Sequence, residues 1–157
     1  MVHLIKATAL GPSPFFYKMK KKKRLSWEAY ALDLARVASQ RSEDPYLRVG
    51  ACVLRRDKSV VGLGYNGAPQ GIEIDWTDRD ERRKRVIHAE INALRYTRPN
   101  EGYLLACTHL PCNECLRSIA AYGIQNIVFE EVYQNDYSSL EICKDLGINL
   151  KSILKIL

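Results

Sequence analysis

Two short segments, His88-Ala89-Glu90 and Pro111-Cys112-Asn113-Glu114-Cys115, are separated by 24 residues from His88 to Cys112, and each opens a predicted helix. Cys112 and Cys115 are three apart, so they share one face of a first helical turn and both sulfurs can reach a single ion. The positive end of that helix favours their thiolate forms. His88 can supply a third ligand from the other helix. A chain using all three must therefore bring two helix N-termini together.

Two thiolates cancel the charge of a Zn²⁺ ion, and three protein ligands leave one tetrahedral position open, the arrangement of a catalytic rather than a structural zinc. One such ion per chain is expected. Water in the open position would have its pKa drawn toward neutrality. Glu90 is placed to take the water's proton and to pass protons onward. Because residues i and i+2 do not share a face within a helix, His88 and Glu90 are expected to flank the helix end, one on the metal and one beside its water. A rival arrangement uses His109, three residues before Cys112, in a closed structural site, but Pro111 would have to bend the chain between the ligands. Cys52, Cys107 and Cys143 have no partner at ligand spacing and read as small packing residues. The pattern H-x-E…P-C-x-x-C is the signature of zinc-dependent nucleobase deaminases.

The periodicity predicts a helix over 26–41, from Trp27, Tyr30, Ala31, Leu34 and Ala38, broken at Asp44-Pro45. Apolar, β-branched runs at 49–54 and 60–65 predict a hairpin. A loop follows from Asn66-Gly67, with a charged continuation over 75–85. Helices are expected at 88–96, 113–122 and 138–146, with strands at 103–108, 124–129 and 148–154. The order α-β-β-α-β-α-β-α-β implies an α/β fold, a mixed sheet with helices on both faces.

The formal net charge of +6 suggests nucleic-acid binding until it is located. Seven Lys or Arg and no acid fall within residues 1–24, whereas residues 25–157 carry 17 basic and 18 acidic side chains. The body is nearly neutral, which argues against a polynucleotide partner; residues 1–24 are expected to be a flexible basic extension ahead of one domain over 25–157. The apolar start at 2–17 lacks a basic leader and is interrupted by Gly11, Pro12 and Pro14, and no apolar run suits a membrane span. An odd number of cysteines, five, suits a reducing, cytoplasmic compartment.

From Leu25 onward the chain resembles the deoxycytidylate deaminases. Four blocks carry the resemblance: Arg41-Ser42-Glu43-Asp44-Pro45 through Arg48 to Val49-Gly50-Ala51-Cys52; Gly62-Leu63-Gly64-Tyr65-Asn66-Gly67-Ala68-Pro69; His88-Ala89-Glu90-Ile91-Asn92-Ala93; and the cysteine block. The resemblance implies the three-layer cytidine-deaminase fold with a five-stranded sheet, deoxycytidylate (dCMP) as substrate, His88, Cys112 and Cys115 as zinc ligands, and Glu90 as proton shuttle. It implies that the backbone at Ala89 and at Leu110–Pro111 meets the cytosine edge and that Asn66 holds the sugar hydroxyl. It further implies a hexamer activated by dCTP and inhibited by dTTP with Mg²⁺, with Gly64, Tyr65, Asn66 and Gly67 in the regulatory region. Residues 68–87 contain no Cys or His, so no second zinc is expected. The substrate phosphate needs a cation, and Arg79, Arg82, Arg83, Lys84, Arg85 and Arg117 are the candidates; spacing does not choose among them. Two other functions compete: a deaminase acting on polynucleotide or another cytosine nucleotide, and a non-catalytic domain stabilised by zinc. Glu90 speaks against the second, because a structural site has no use for a carboxylate there.

Overall fold

A computed structural model describes residues 23–133 and 137–153. The expectations for residues 1–22 and for Leu154 lie outside the described residues; Lys23 and Arg24 are exposed and in no regular element. The elements run α1 (Trp27–Ser39), β1 (Gly50–Leu54), β2 (Val60–Tyr65), α2 (Arg79–Arg85), α3 (Ala89–Leu94), β3 (Leu104–His109), α4 (Asn113–Ala121), β4 (Asn126–Glu131), α5 (Ser139–Asp145) and β5 (Asn149–Ser152). Five strands form one mixed sheet in the order β2-β1-β3-β4-β5. β1 pairs antiparallel with β2 and with β3, while β3, β4 and β5 run parallel, linked through α4 and α5. Among the described residues, no helix is long and apolar enough to cross a membrane.

Alternation along the strands splits the core in two. Ala51 and Val53 of β1 and Leu105 and Cys107 of β3 face α3, α4 and α5, where they pack with Ala93, Leu116 and Ile119. Cys52, Leu54, Leu104 and Ala106 face the other way, onto Ala31, Leu32 and Ala35 of α1. β1 is buried along its whole length because both faces are covered, so it reads as a continuous apolar run. Ser26 caps α1, accepting from the Ala29 N–H at 3.1 Å. The Arg36 fork reaches both oxygens of Glu130 at 2.7 Å and ties α1 to β4.

α2 departs from the sequence expectation of an irregular charged stretch. Its seven residues, RDERRKR, include no apolar side chain and none is buried, so periodicity had nothing to register. The helix forms on end effects. The Asp78 side chain accepts from the N–H groups of Asp80 and Glu81, acids fill the first turn and four basic residues the last. The ends of the other elements lie within two residues of their expected bounds; α3 stops at Leu94, short of Tyr96.

α3 lies almost in contact with the backbone of β2. A Cβ on Gly62 would sit 2.0 Å from the Ala93 carbonyl oxygen, and one on Gly64 would sit 2.3 Å from that of Ala89. These glycines let the helix carrying Glu90 approach the sheet. Gly64→Ala should therefore push α3 outward, lowering stability by about 1–3 kcal/mol in urea unfolding, with a matching loss of zinc affinity. An unchanged unfolding midpoint would show that α3 does not depend on this approach.

Candidate active site

Both motifs place their first metal-type residue at the helix N-cap. His88 precedes α3 with φ −69° and ψ 152°, and Cys112 precedes α4 with φ −72° and ψ 167°. An N-cap side chain usually accepts from its own helix, but neither of these does. Both instead turn toward each other. The His88 Nδ1 atom lies 3.3 Å from the Cys115 sulfur and 3.5 Å from that of Cys112. The three ligand atoms all fall within 4.8 Å of one another. Zinc bond lengths at a tetrahedral angle put sulfur and nitrogen about 3.6 Å apart, so the donor set and its spacing fit one zinc ion. His109 is not part of this cluster. It ends β3 at the rim, 3.3 Å from Glu131, and burial pushes its pKa down.

Glu90 sits in the first turn of α3, only 4% exposed. Burial is the main cause that raises its carboxyl pKa above the ordinary carboxylate range. Its carboxylate meets the thiols of Cys115 and of Cys107 on β3. The Cys115 thiol, followed by His88, holds Cys112 down to about 3, and that same bond pushes Cys115 up. The Cys112 thiolate in turn raises His88.

The cluster forms the floor of a cleft of about 530 Å³. Ala89 and Leu110 line it beside His88, Glu90 and Cys112, while Pro111 is fully buried and outside the lining. Asn66 also lines it, and its carboxamide is held on three sides. Its Oδ1 accepts from the Val49 N–H at 2.8 Å, and its Nδ2 donates to the Leu47 carbonyl at 2.8 Å and to Asp44 at 3.4 Å. Asp44 closes its own turn by accepting from the N–H groups of Tyr46 and Leu47. The first two sequence blocks therefore interlock, and one Asn66 oxygen lone pair is left over.

Gly64, Tyr65 and Gly67 do not line the cleft. Gly64 lies under α3, the Tyr65 carbonyl accepts from Asn92 at 2.8 Å, and Gly67 bridges to Ile87. Of the six phosphate candidates, Arg79, Arg82 and Arg83 reach the cleft; Lys84, Arg85 and Arg117 do not. Tyr46 and Tyr133 complete the mouth. Sequence reading singled out neither, since Tyr46 had only its place beside Asp44 as a signal and Tyr133 is brought there by the end of β4.

A five-stranded mixed sheet between helix layers, with a His–Cys–Cys set on paired helix N-termini above the sheet, defines the cytidine-deaminase-like class of α/β proteins. Residues 25–131 match the family model described as the cytidine and deoxycytidylate deaminase zinc-binding region, and the chain belongs to this family. Human deoxycytidylate deaminase is 35% identical over 115 residues, covering 67% of this chain and 65% of that protein. The chain thus spans somewhat under two thirds of the human relative's length. ComE operon protein 2 of Bacillus subtilis is 31% identical over 139 residues, covering 83% of this chain and 72% of that protein. The dCMP deaminase of cyanophage S-TIM5, solved with dCMP and dUMP, superposes with a TM-score of 0.66 at 28% identity, covering 80% of this chain and 95% of that one.

Proposed function

We propose that the chain hydrolyses deoxycytidylate to dUMP and ammonia. The observation that carries this reading is a buried carboxyl, Glu90, set beside a three-ligand metal cluster at the floor of a nucleotide-sized cleft. His88, Cys112 and Cys115 would hold one zinc per chain. Zinc with an open position supplies Lewis acidity that brings the pKa of water toward neutrality. Glu90 accepts the proton of the attacking water and delivers protons to ring N3 and to the departing amine. Oxygen adds to C4 as the first water proton passes through Glu90 to N3; the second water proton then passes through Glu90 from the new C4 hydroxyl to the amine, the C4–N bond breaks, and ammonia leaves as the C4 carbonyl forms. A raised carboxyl pKa suits a group that must both take and give protons near neutral pH. The backbone at Ala89 and at Leu110–Pro111 is assigned to the cytosine edge, and the spare Asn66 lone pair accepts from a sugar hydroxyl.

Assembly into a hexamer and control by dCTP and by dTTP with Mg²⁺ around Tyr65–Gly67 belong to the same proposal. Leu63, Tyr65 and Ile91, exposed around the β2 edge, support self-association. A cytoplasmic, reducing setting fits five free thiols.

Zinc-loaded protein incubated with dCMP should release ammonia and dUMP in equal amounts. Absence of turnover, with and without dCTP, would overturn the assignment.

A further inference from the structure

The mouth of the cleft holds one arginine in an unusual state. Arg82 of α2 lies over the ring of Tyr46, with its guanidinium carbon 4.1 Å from the ring centre. Its Nε is buried and makes no hydrogen bond among the described residues. A buried N–H of a charged group without an acceptor is costly, and folded chains rarely leave one unless something else fills the role. Arg79 and Arg83 share the wall and are exposed. None of the three forms an ion pair among the described residues, whereas Arg85, on the same helix, pairs with Glu81 at 3.1 Å. The acid on this side of the cleft, Asp44, is already engaged by two backbone N–H groups and Asn66.

We infer that Arg82, steadied on Tyr46, is the residue that recognises the 5′-phosphate of a nucleoside monophosphate, with Arg79 and Arg83 adding charge around it. The inference rests on the proposed turnover of a cytosine nucleotide at this site. A phosphate offers what Arg82 lacks: several acceptor oxygens arranged to meet two guanidinium N–H groups at once. A guanidinium lying over an aromatic ring keeps its N–H edge free for this while losing little freedom on binding. The placement is also fixed with respect to the chemistry. α2 ends at Arg85, only Val86 and Ile87 separate it from His88, and Ile87 exchanges two backbone hydrogen bonds with Gly67 at 2.9 and 3.1 Å. The arginine wall and His88 are thus joined by a two-residue link that is itself tied to the loop after β2.

The test uses product binding, which does not require turnover. Affinities for dUMP and for deoxyuridine are measured by calorimetry on zinc-loaded full-length protein, for the wild type, Arg82→Gln, Arg82→Lys and Tyr46→Leu, each checked for zinc content and melting temperature. The preference for dUMP over deoxyuridine should fall roughly 100-fold in Arg82→Gln, since a bidentate charged contact is removed. It should fall about tenfold in Arg82→Lys, which keeps the charge without the fork. If Arg82→Gln fails to fold, the Lys and Tyr46 variants carry the comparison. A preference within threefold of wild type in Arg82→Lys and Tyr46→Leu, or a wild type that does not favour dUMP, overturns the inference. A preference that depends on Arg82 in a protein that deaminates neither dCMP nor deoxycytidine would uphold the phosphate site and sink the deaminase reading instead.

Discussion

Glu90→Gln should bind zinc as the parent does, lose roughly 10³–10⁴-fold in kcat on dCMP, and be more stable at neutral pH. The amide keeps the shape of the side chain and cannot carry a proton, so the loss falls on kcat. The stability gain follows from linkage. Burial holds the folded pKa of Glu90 above its ordinary 4.5, so the folded chain binds this proton more tightly than the unfolded chain does. Stability is therefore lost as pH rises above 4.5 toward the folded value, by up to about 1.4 kcal/mol per pH unit. The comparison is made on the metal-free protein, where no ion offsets that penalty. The variant escapes it, and its advantage in melting temperature should widen as pH rises above 4.5. Turnover within tenfold of the parent would remove Glu90 from proton transfer. An advantage that does not grow with pH would show that the carboxylate is not destabilised by burial.

Loss of the second cysteine should have the largest effect of all. Cys115→Ala should bind zinc too weakly to survive dialysis against a weak chelator and should show no detectable turnover. Cys115 is buried and contributes to the packing of α4 against the sheet as well as to the metal, so the unfolding free energy should also drop, by about 2–4 kcal/mol. Zinc binding by the parent should be steeply pH-dependent. Metal ligands must be deprotonated. Cys112 is held down to about 3, while Cys115 and His88 are both shifted upward. Zinc uptake should therefore release protons, and affinity should weaken as pH falls. Calorimetry in buffers of different ionisation enthalpy counts those protons. Uptake without proton release would mean that the sulfurs and imidazole do not form the site.

The parts of this molecule that were legible in the sequence are those whose cause is local. The strands alternate or run apolar because of which faces they bury, and the helices α1, α4 and α5 repeat at helical spacing. The metal cluster was legible because Cys112 and Cys115 are near neighbours and His88 opens the other helix. Its geometry was partly so: the i, i+2 spacing of His88 and Glu90 pointed to a helix end, and His88 is the cap of α3, whereas the cap position of Cys112 is a detail of backbone angles that its spacing to Cys115 does not contain. α2 was missed because it has no apolar face; its cap at Asp78 and its charge gradient were present but carried no periodic signal. The Asn66–Asp44 network joins residues 22 apart and follows from how the turn after Asp44 lies against the end of β2. The choice of Arg82 among six cations depended on a ring, Tyr46, that comes from a different part of the chain.

The bare surface of α2 has a consequence for how such a protein can diversify. No core residue among the described residues belongs to this helix, which is held by the Asp78 cap, the Arg82–Tyr46 contact and the Gly67–Ile87 bridge just beyond it. Its side chains can therefore be exchanged with little risk to folding, while the machinery set on α3 and α4 stays as it is. Selection, natural or in the laboratory, could retune which molecules are admitted by editing the exposed positions of this helix and leaving the reaction untouched.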